Sequence, residues 1–126
     1  MFTLYDDDND KREIEDIDVV RHEYGGNRFA WDPQKALENE HKHSVSFELA
    51  SEVFSDPYCI TAFDPYPGET RMRIIGETAP DENGWPGPVL FVVYIELLYD
   101  EGEDPFYRII SARQAKEKER KQYYDY

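Results

Sequence analysis

Apolar positions along this chain follow a helical period first and a strand period afterwards. Asp32 can accept as a helix N-cap and Pro33 suits the first helical position, which predicts a helix from Pro33 to about His43. A second helix is predicted from Ser46, because Phe47, Ala50, Val53 and Phe54 fall on one apolar face before Asp56-Pro57 ends the run. The pattern then turns strand-like over residues 58–63, 71–78, 89–98 and 106–112. Stretches rich in Pro, Gly and Asp at 64–68, 80–88 and 100–105 separate these runs and are unsuited to helix. With no helix between any two of them, neighbours are expected to pair as an antiparallel meander. Val89-Leu90-Phe91-Val92-Val93 is apolar on both faces, so it is expected to be the most buried strand. The charged segment Gln114 to Lys121 predicts a C-terminal helix. The fold class is α+β: an antiparallel sheet of about four strands, two N-terminal helices on one face, and a C-terminal helix.

Charge divides the chain differently. Residues 1–27 carry nine acids against three bases, including the run Asp6-Asp7-Asp8-Asn9-Asp10, and end in the turn or linker signal Tyr24-Gly25-Gly26-Asn27. They are expected to form a flexible acidic arm, with Ile14, Ile17, Val19 and Val20 as an alternative short strand or helix, ahead of a domain at 28–126. Residues 108–121 reverse the balance, with six bases against two acids in a chain of formal net charge -14. Screening over about 8 to 10 Å in cell-like salt lets such a patch act locally on an anion.

The 126 residues, 40% of them hydrophobic, suffice for one domain and not comfortably for two. A single Cys59 excludes an intramolecular disulfide and reads as an inert thiol in a strand. His41 and His43 have no recognised metal spacing, so no metal and no cofactor are expected. No apolar run reaches the roughly 20 residues of a membrane helix. The early aspartates stand where a signal peptide has a basic region, so a cytoplasmic protein without membrane contact is expected.

The candidate chemistry lies in Arg108-Ile109-Ile110-Ser111-Ala112-Arg113. Strict alternation would put Arg108, Ile110 and Ala112 on one side and Ile109, Ser111 and Arg113 on the other. The two arginines serve either an anion or the protein's own acids. On the first helix, Lys35, Asn39 and His43 follow one another at i+4 and form a polar stripe.

These pieces, taken in order, resemble the BrnT family of RelE-like ribonuclease toxins. The resemblance rests on Trp31-Asp32 with Lys35; on Asn39, Lys42-His43, Val45 and Phe47; on Glu69 and Arg71 leading to Gly76; on Arg108 to Arg113 with Ala115; and on the basic C-terminal helix with Glu and Tyr. It covers Arg28 to about Tyr124. It implies a metal-independent endoribonuclease in which the 2′-hydroxyl attacks the adjacent phosphate, with Arg71 and Arg113 on that phosphate and a general acid and base drawn from Glu69, His43 and Tyr94. It further implies a basic RNA-binding surface, expected from Lys35, Lys42, Arg108 and Lys116, to which Arg73 adds a charge beside Arg71 that departs from the family pattern. The implied partner is a BrnA-type antitoxin with a ribbon-helix-helix part, through which alone DNA is contacted. Ser44 departs from the glycine usual after the Lys-His pair, and the chain is more acidic than an RNA-directed toxin needs to be. That acidity leaves a rival reading, a catalytically silent interaction protein that keeps the fold and the antitoxin interface.

Overall fold

A computed structural model describes residues 19–97 and 104–125, so the aspartate run and most of the acidic arm lie outside the described residues. The elements are β1 (Val20–Tyr24), β2 (Asn27–Trp31), α1 (Pro33–His43), α2 (Phe47–Ser51), a 3-10 turn (Glu52–Ser55), β3 (Ile60–Asp64), β4 (Arg71–Glu77), β5 (Val89–Leu97), β6 (Phe106–Gln114) and α3 (Glu117–Tyr124).

The helices start and stop where local chemistry directs. Asp32 accepts from the Gln34 N–H at 2.8 Å, Pro33 opens α1, and Ser46 caps α2 through the Leu49 N–H at 3.0 Å. His41, Lys42 and His43 occupy the last turn of α1, where the helix dipole favours cations. Ser44 ends α1 in the left-handed conformation at φ 59°, its N–H donating to the Glu40 carbonyl at 2.8 Å. That conformation favours glycine, which accounts for the glycine expected at this place.

The expected four strands are present as the antiparallel series β3-β4-β5-β6, but among the described residues the sheet has six strands and is mixed, in the order β1-β2-β6-β5-β4-β3. The two added strands form a hairpin whose turn, Gly25-Gly26, has φ 60° and 83°. Positive φ at both central residues is what a two-residue type I′ hairpin turn requires. Of the turn or linker that Tyr24-Gly25-Gly26-Asn27 signals, the structure has the turn, and Val20–Tyr24 belongs to the sheet rather than to a flexible arm. β2 then lies parallel to β6 through Arg28↔Phe106, Phe29↔Tyr107 and Ala30↔Arg108.

One face of the sheet carries the main core. Phe29 and Trp31 of β2, Ile74 of β4, Leu90, Val92 and Tyr94 of β5, and Ile109 and Ala112 of β6 pack with Phe47, Ala50 and Val53 of the second helical segment. The predicted stripe of that helix and the predicted buried strand thus share one core. On the opposite face α3 covers a smaller cluster of Ile75, Val89, Ala115 and Tyr123.

Two polar side chains fasten the layers. The β2 pairing with β6 stops at Arg108, leaving the later backbone of β6 without a strand on that side among the described residues. Asn39 of α1 takes the place of one: its amide donates to the Ala112 carbonyl at 2.8 Å, and its Oδ1 accepts the Ala112 N–H at 3.1 Å. The same amide donates to the Val45 carbonyl at 3.0 Å. Asn39 is buried and belongs to no exposed stripe with Lys35 and His43. Asp56 is the second fastener, accepting from the Tyr58 N–H at 2.9 Å, the Glu77 N–H at 2.8 Å and the Tyr123 hydroxyl at 2.5 Å. Gly76 permits this approach, since a Cβ there would stand 3.1 Å from Asp56 Oδ2 and 3.2 Å from Val53 Cβ.

Candidate nucleic-acid interface

The sheet face opposite the main core carries the arginines. On β4, Arg71 and Arg73 alternate to that face while Met72 and Ile74 point to the core. On β6 the predicted alternation fails. The register slips between Val93↔Ser111 and Tyr94↔Ile109, leaving Ile110 as an extra residue in a β-bulge. The inserted residue restores Ile109 to the core beside Ala112 and turns both Arg108 and Arg113 to the opposite face. Alternation alone separates these two arginines; the bulge reunites them.

They nonetheless occupy different environments. Arg108 is 1% exposed, which removes it from an open RNA surface. Arg113 is partly exposed, forks onto Glu119 of α3 at 2.8 and 2.9 Å, and lies 4.2 Å from the Phe91 ring centroid. Arg73 reaches Asp64 at 3.3 Å and lies 5.7 Å from the same ring. Arg71 pairs with Glu69 and stacks 3.7 Å from the Tyr66 ring centroid.

Arg71 and Arg113 are not on adjacent strands, because β5 runs between β4 and β6. The guanidinium that converges with Arg113 on Phe91 is that of Arg73. Glu69 adjoins Arg71, as its place two residues ahead predicts. Tyr94 is brought nowhere near this face. It is 5% exposed on the core side, in T-shaped contact with Phe54 at 4.9 Å and Tyr107 at 5.6 Å. Burial, reinforced by Tyr107 and Glu96, pushes its hydroxyl up to about 12, unsuited to proton transfer near neutrality. Lys35, Lys42 and His43 ride on α1, which sends Ala36 and Asn39 to the core side; both lysines are exposed and His43 is half-buried. Lys116 is exposed at the start of α3, its N–H donating to Glu119 at 2.8 Å.

Glu119, Phe91, Asp64 and Tyr66 complete the arginine face and were not among the predicted site residues. Glu119 stands six residues after Arg113 across a strand-to-helix turn, a spacing with no regular period, and Phe91 sits inside a run that reads as core. The Arg113 hydrogen bonds hold the Glu119 carboxyl below its usual range against the opposing effect of burial, helped by the Lys116 N–H. A carboxylate gripped by both arms of a guanidinium occupies the geometry in which Arg holds two oxygens of a phosphate.

Other reactive groups lie apart. Cys59 is half-buried, and burial and the nearby Asp56 push its thiol up, away from thiolate chemistry. Among the described residues no group of three or more His, Cys, Asp or Glu side chains is arranged to hold a metal ion. No described helix is long and apolar enough to cross a membrane.

A family model described as the ribonuclease toxin BrnT of type II toxin-antitoxin systems matches residues 31–119. No curated protein matches the chain significantly.

Proposed function

Because the chain belongs to the BrnT family of ribonuclease toxins of type II toxin-antitoxin systems, we propose that its arginine face cleaves RNA without a metal ion. The 2′-hydroxyl gives its proton to a base and attacks the adjacent phosphorus, the bond to the 5′-oxygen breaks as that oxygen takes a proton and leaves as a 5′-hydroxyl, and a 2′,3′-cyclic phosphate remains. Arg73 and Arg113 neutralise the charge that accumulates on the phosphoryl oxygens, and Arg71 extends the same positive surface. Glu69 is the favoured base among Glu69, His43 and Tyr94, because it is hydrogen-bonded to an arginine of this face while Tyr94 lies across the sheet. Lys35, Lys42 and Lys116 contribute to RNA binding from exposed positions. A BrnA-type ribbon-helix-helix antitoxin neutralises the toxin in the cytoplasm, and DNA is reached only through that partner.

The observation that carries this reading is the convergence of Arg73 and Arg113, from two different strands, on one patch of a face turned away from the main core. The test is incubation of the purified protein with an RNA oligonucleotide in excess chelator. Cleavage leaving cyclic phosphate ends is expected, with none at a nucleotide carrying a 2′-deoxy sugar. Cutting of the deoxy-substituted site, or dependence on added metal, would refute the mechanism.

A specific observation also favours the silent reading. Arg71, Arg73 and Arg113 each already hold an internal carboxylate. Expression in a bacterial host separates the two, since a cleaving toxin arrests growth until the antitoxin is supplied, whereas a silent protein binds the antitoxin without arresting growth.

A further inference from the structure

Phe91 stands between two arginines at the middle of the face that carries them. Arg113 is its cross-strand partner on β6, and Arg73 lies diagonally across on β4, where Ile75 is the direct partner. Both guanidiniums fall within the ~6 Å over which the negative face of an aromatic ring attracts a cation. The ring is half-buried, whereas Leu90 and Val92 on either side of it in sequence are fully buried on the core side.

Two guanidiniums brought to one small area repel each other, and each also leans on an outer carboxylate, Asp64 for Arg73 and Glu119 for Arg113. An incoming phosphate competes with those carboxylates for the same N–H groups. It does not compete with the ring, which attracts the cations through its π-face. Phe91 is therefore a partner that both arginines share and that survives such an exchange. The Arg73 Nε is buried and has no hydrogen-bond partner among the described residues, so its carboxylate contact leaves donor capacity unused.

From this juxtaposition we infer that Phe91 is a positioning residue, whose ring sets the spacing at which Arg73 and Arg113 grip a single phosphate of the RNA. The inference rests on the reading of this face as the cleavage site. Phe91 acts through the arginines and does not itself touch the reacting atoms.

The test compares Phe91→Leu, which keeps apolar bulk and removes the π-face, with Phe91→Tyr, which keeps both. With an RNA oligonucleotide as substrate, Phe91→Leu is expected to lower kcat/KM about 5- to 30-fold, the range spanned by one or two cation-π contacts. Phe91→Tyr is expected to retain cleavage within about twofold. When Arg73→Ala and Arg113→Ala are both present, Phe91→Leu should weaken binding of a 2′-O-methyl oligonucleotide no further, because the ring then has nothing to position. Wild-type kcat/KM in Phe91→Leu overturns the inference. So do equal losses in the Leu and Tyr variants, or a Leu effect undiminished without the arginines, since either shows that the ring serves packing. If the wild-type chain cuts no RNA, the cleavage reading fails, and oligonucleotide affinity still reports on Phe91: a matching loss in Phe91→Leu supports its role, and no binding at all overturns both.

Discussion

Replacing Asn39 by Ala removes the side chain that completes the open stretch of β6. Asn39 is 7% exposed and Ala112 is fully buried, so the Ala112 N–H and carbonyl lose their partner in a place water does not freely reach. Each buried group left unpaired costs about 1 to 3 kcal/mol, and the Val45 carbonyl loses a third contact. A total near 3 to 5 kcal/mol is expected, a large part of the roughly 5 to 15 kcal/mol that holds a domain folded. Urea denaturation followed by fluorescence reads this directly, since Trp31 is buried in the same core. With a urea dependence of about 1 to 3 kcal/mol per molar, the midpoint should fall by about 1 M or more. Asn39→Asp keeps an acceptor for the Ala112 N–H but loses the amide donors and buries a charge, so it should be at least as damaging. A loss below about 1 kcal/mol for Asn39→Ala would refute the claim that this side chain substitutes for a strand.

Arg73→Ala and Arg113→Ala should each reduce RNA cleavage by about two orders of magnitude, as loss of a transition-state charge contact does, while Arg71→Ala, whose guanidinium stacks on Tyr66 away from Phe91, should cost less; steady-state kinetics on one oligonucleotide ranks them. Glu119→Gln should tighten binding of a non-cleavable RNA by releasing Arg113, and unchanged affinity would show that the pair does not oppose substrate. Because Arg113 lowers the Glu119 carboxyl in the folded protein, the associated stability is complete above the ordinary carboxylate range and is lost as pH falls through the lowered folded value, so the acid side of a stability profile should flatten in Glu119→Gln. Tyr94, Tyr107, Tyr123 and Tyr124 are all raised, first by burial. Their contribution is therefore complete below the ordinary tyrosine value of about 10 and lost as pH climbs past it, so denaturation midpoints should fall on the alkaline side together with phenolate absorbance. Ser44→Gly should raise stability by roughly 0.5 to 1 kcal/mol, because it relieves the left-handed backbone at the end of α1, and a lowered melting temperature would refute this.

Much of the architecture was already determined along the chain. Asp32, Pro33 and Ser46 place the helix starts through side chains acting within three residues, and the Phe47, Ala50, Val53 stripe identifies the buried face of the second helical segment. The doubly apolar β5 marks the interior of the sheet because a strand packed on both faces cannot alternate. Family membership was likewise legible in the ordered motifs from Trp31 to the C-terminal helix. What the tertiary structure decided depends on contacts distant in sequence. The parallel pairing of β2 with β6 joins segments nearly eighty residues apart and leaves no periodic trace in either. The Ile110 bulge is one inserted residue, invisible to a period-two reading, yet it decides which arginines share a face. Asn39 looks like an exposed stripe residue until β6 arrives to use its amide, and Arg73 rather than Arg71 meets Arg113 because the register sets Phe91 opposite Arg113 and diagonal to Arg73. Local propensity acts over a few residues, so it specifies elements and caps; the meeting of charges across the sheet is set by register and strand order, which only the folded chain possesses.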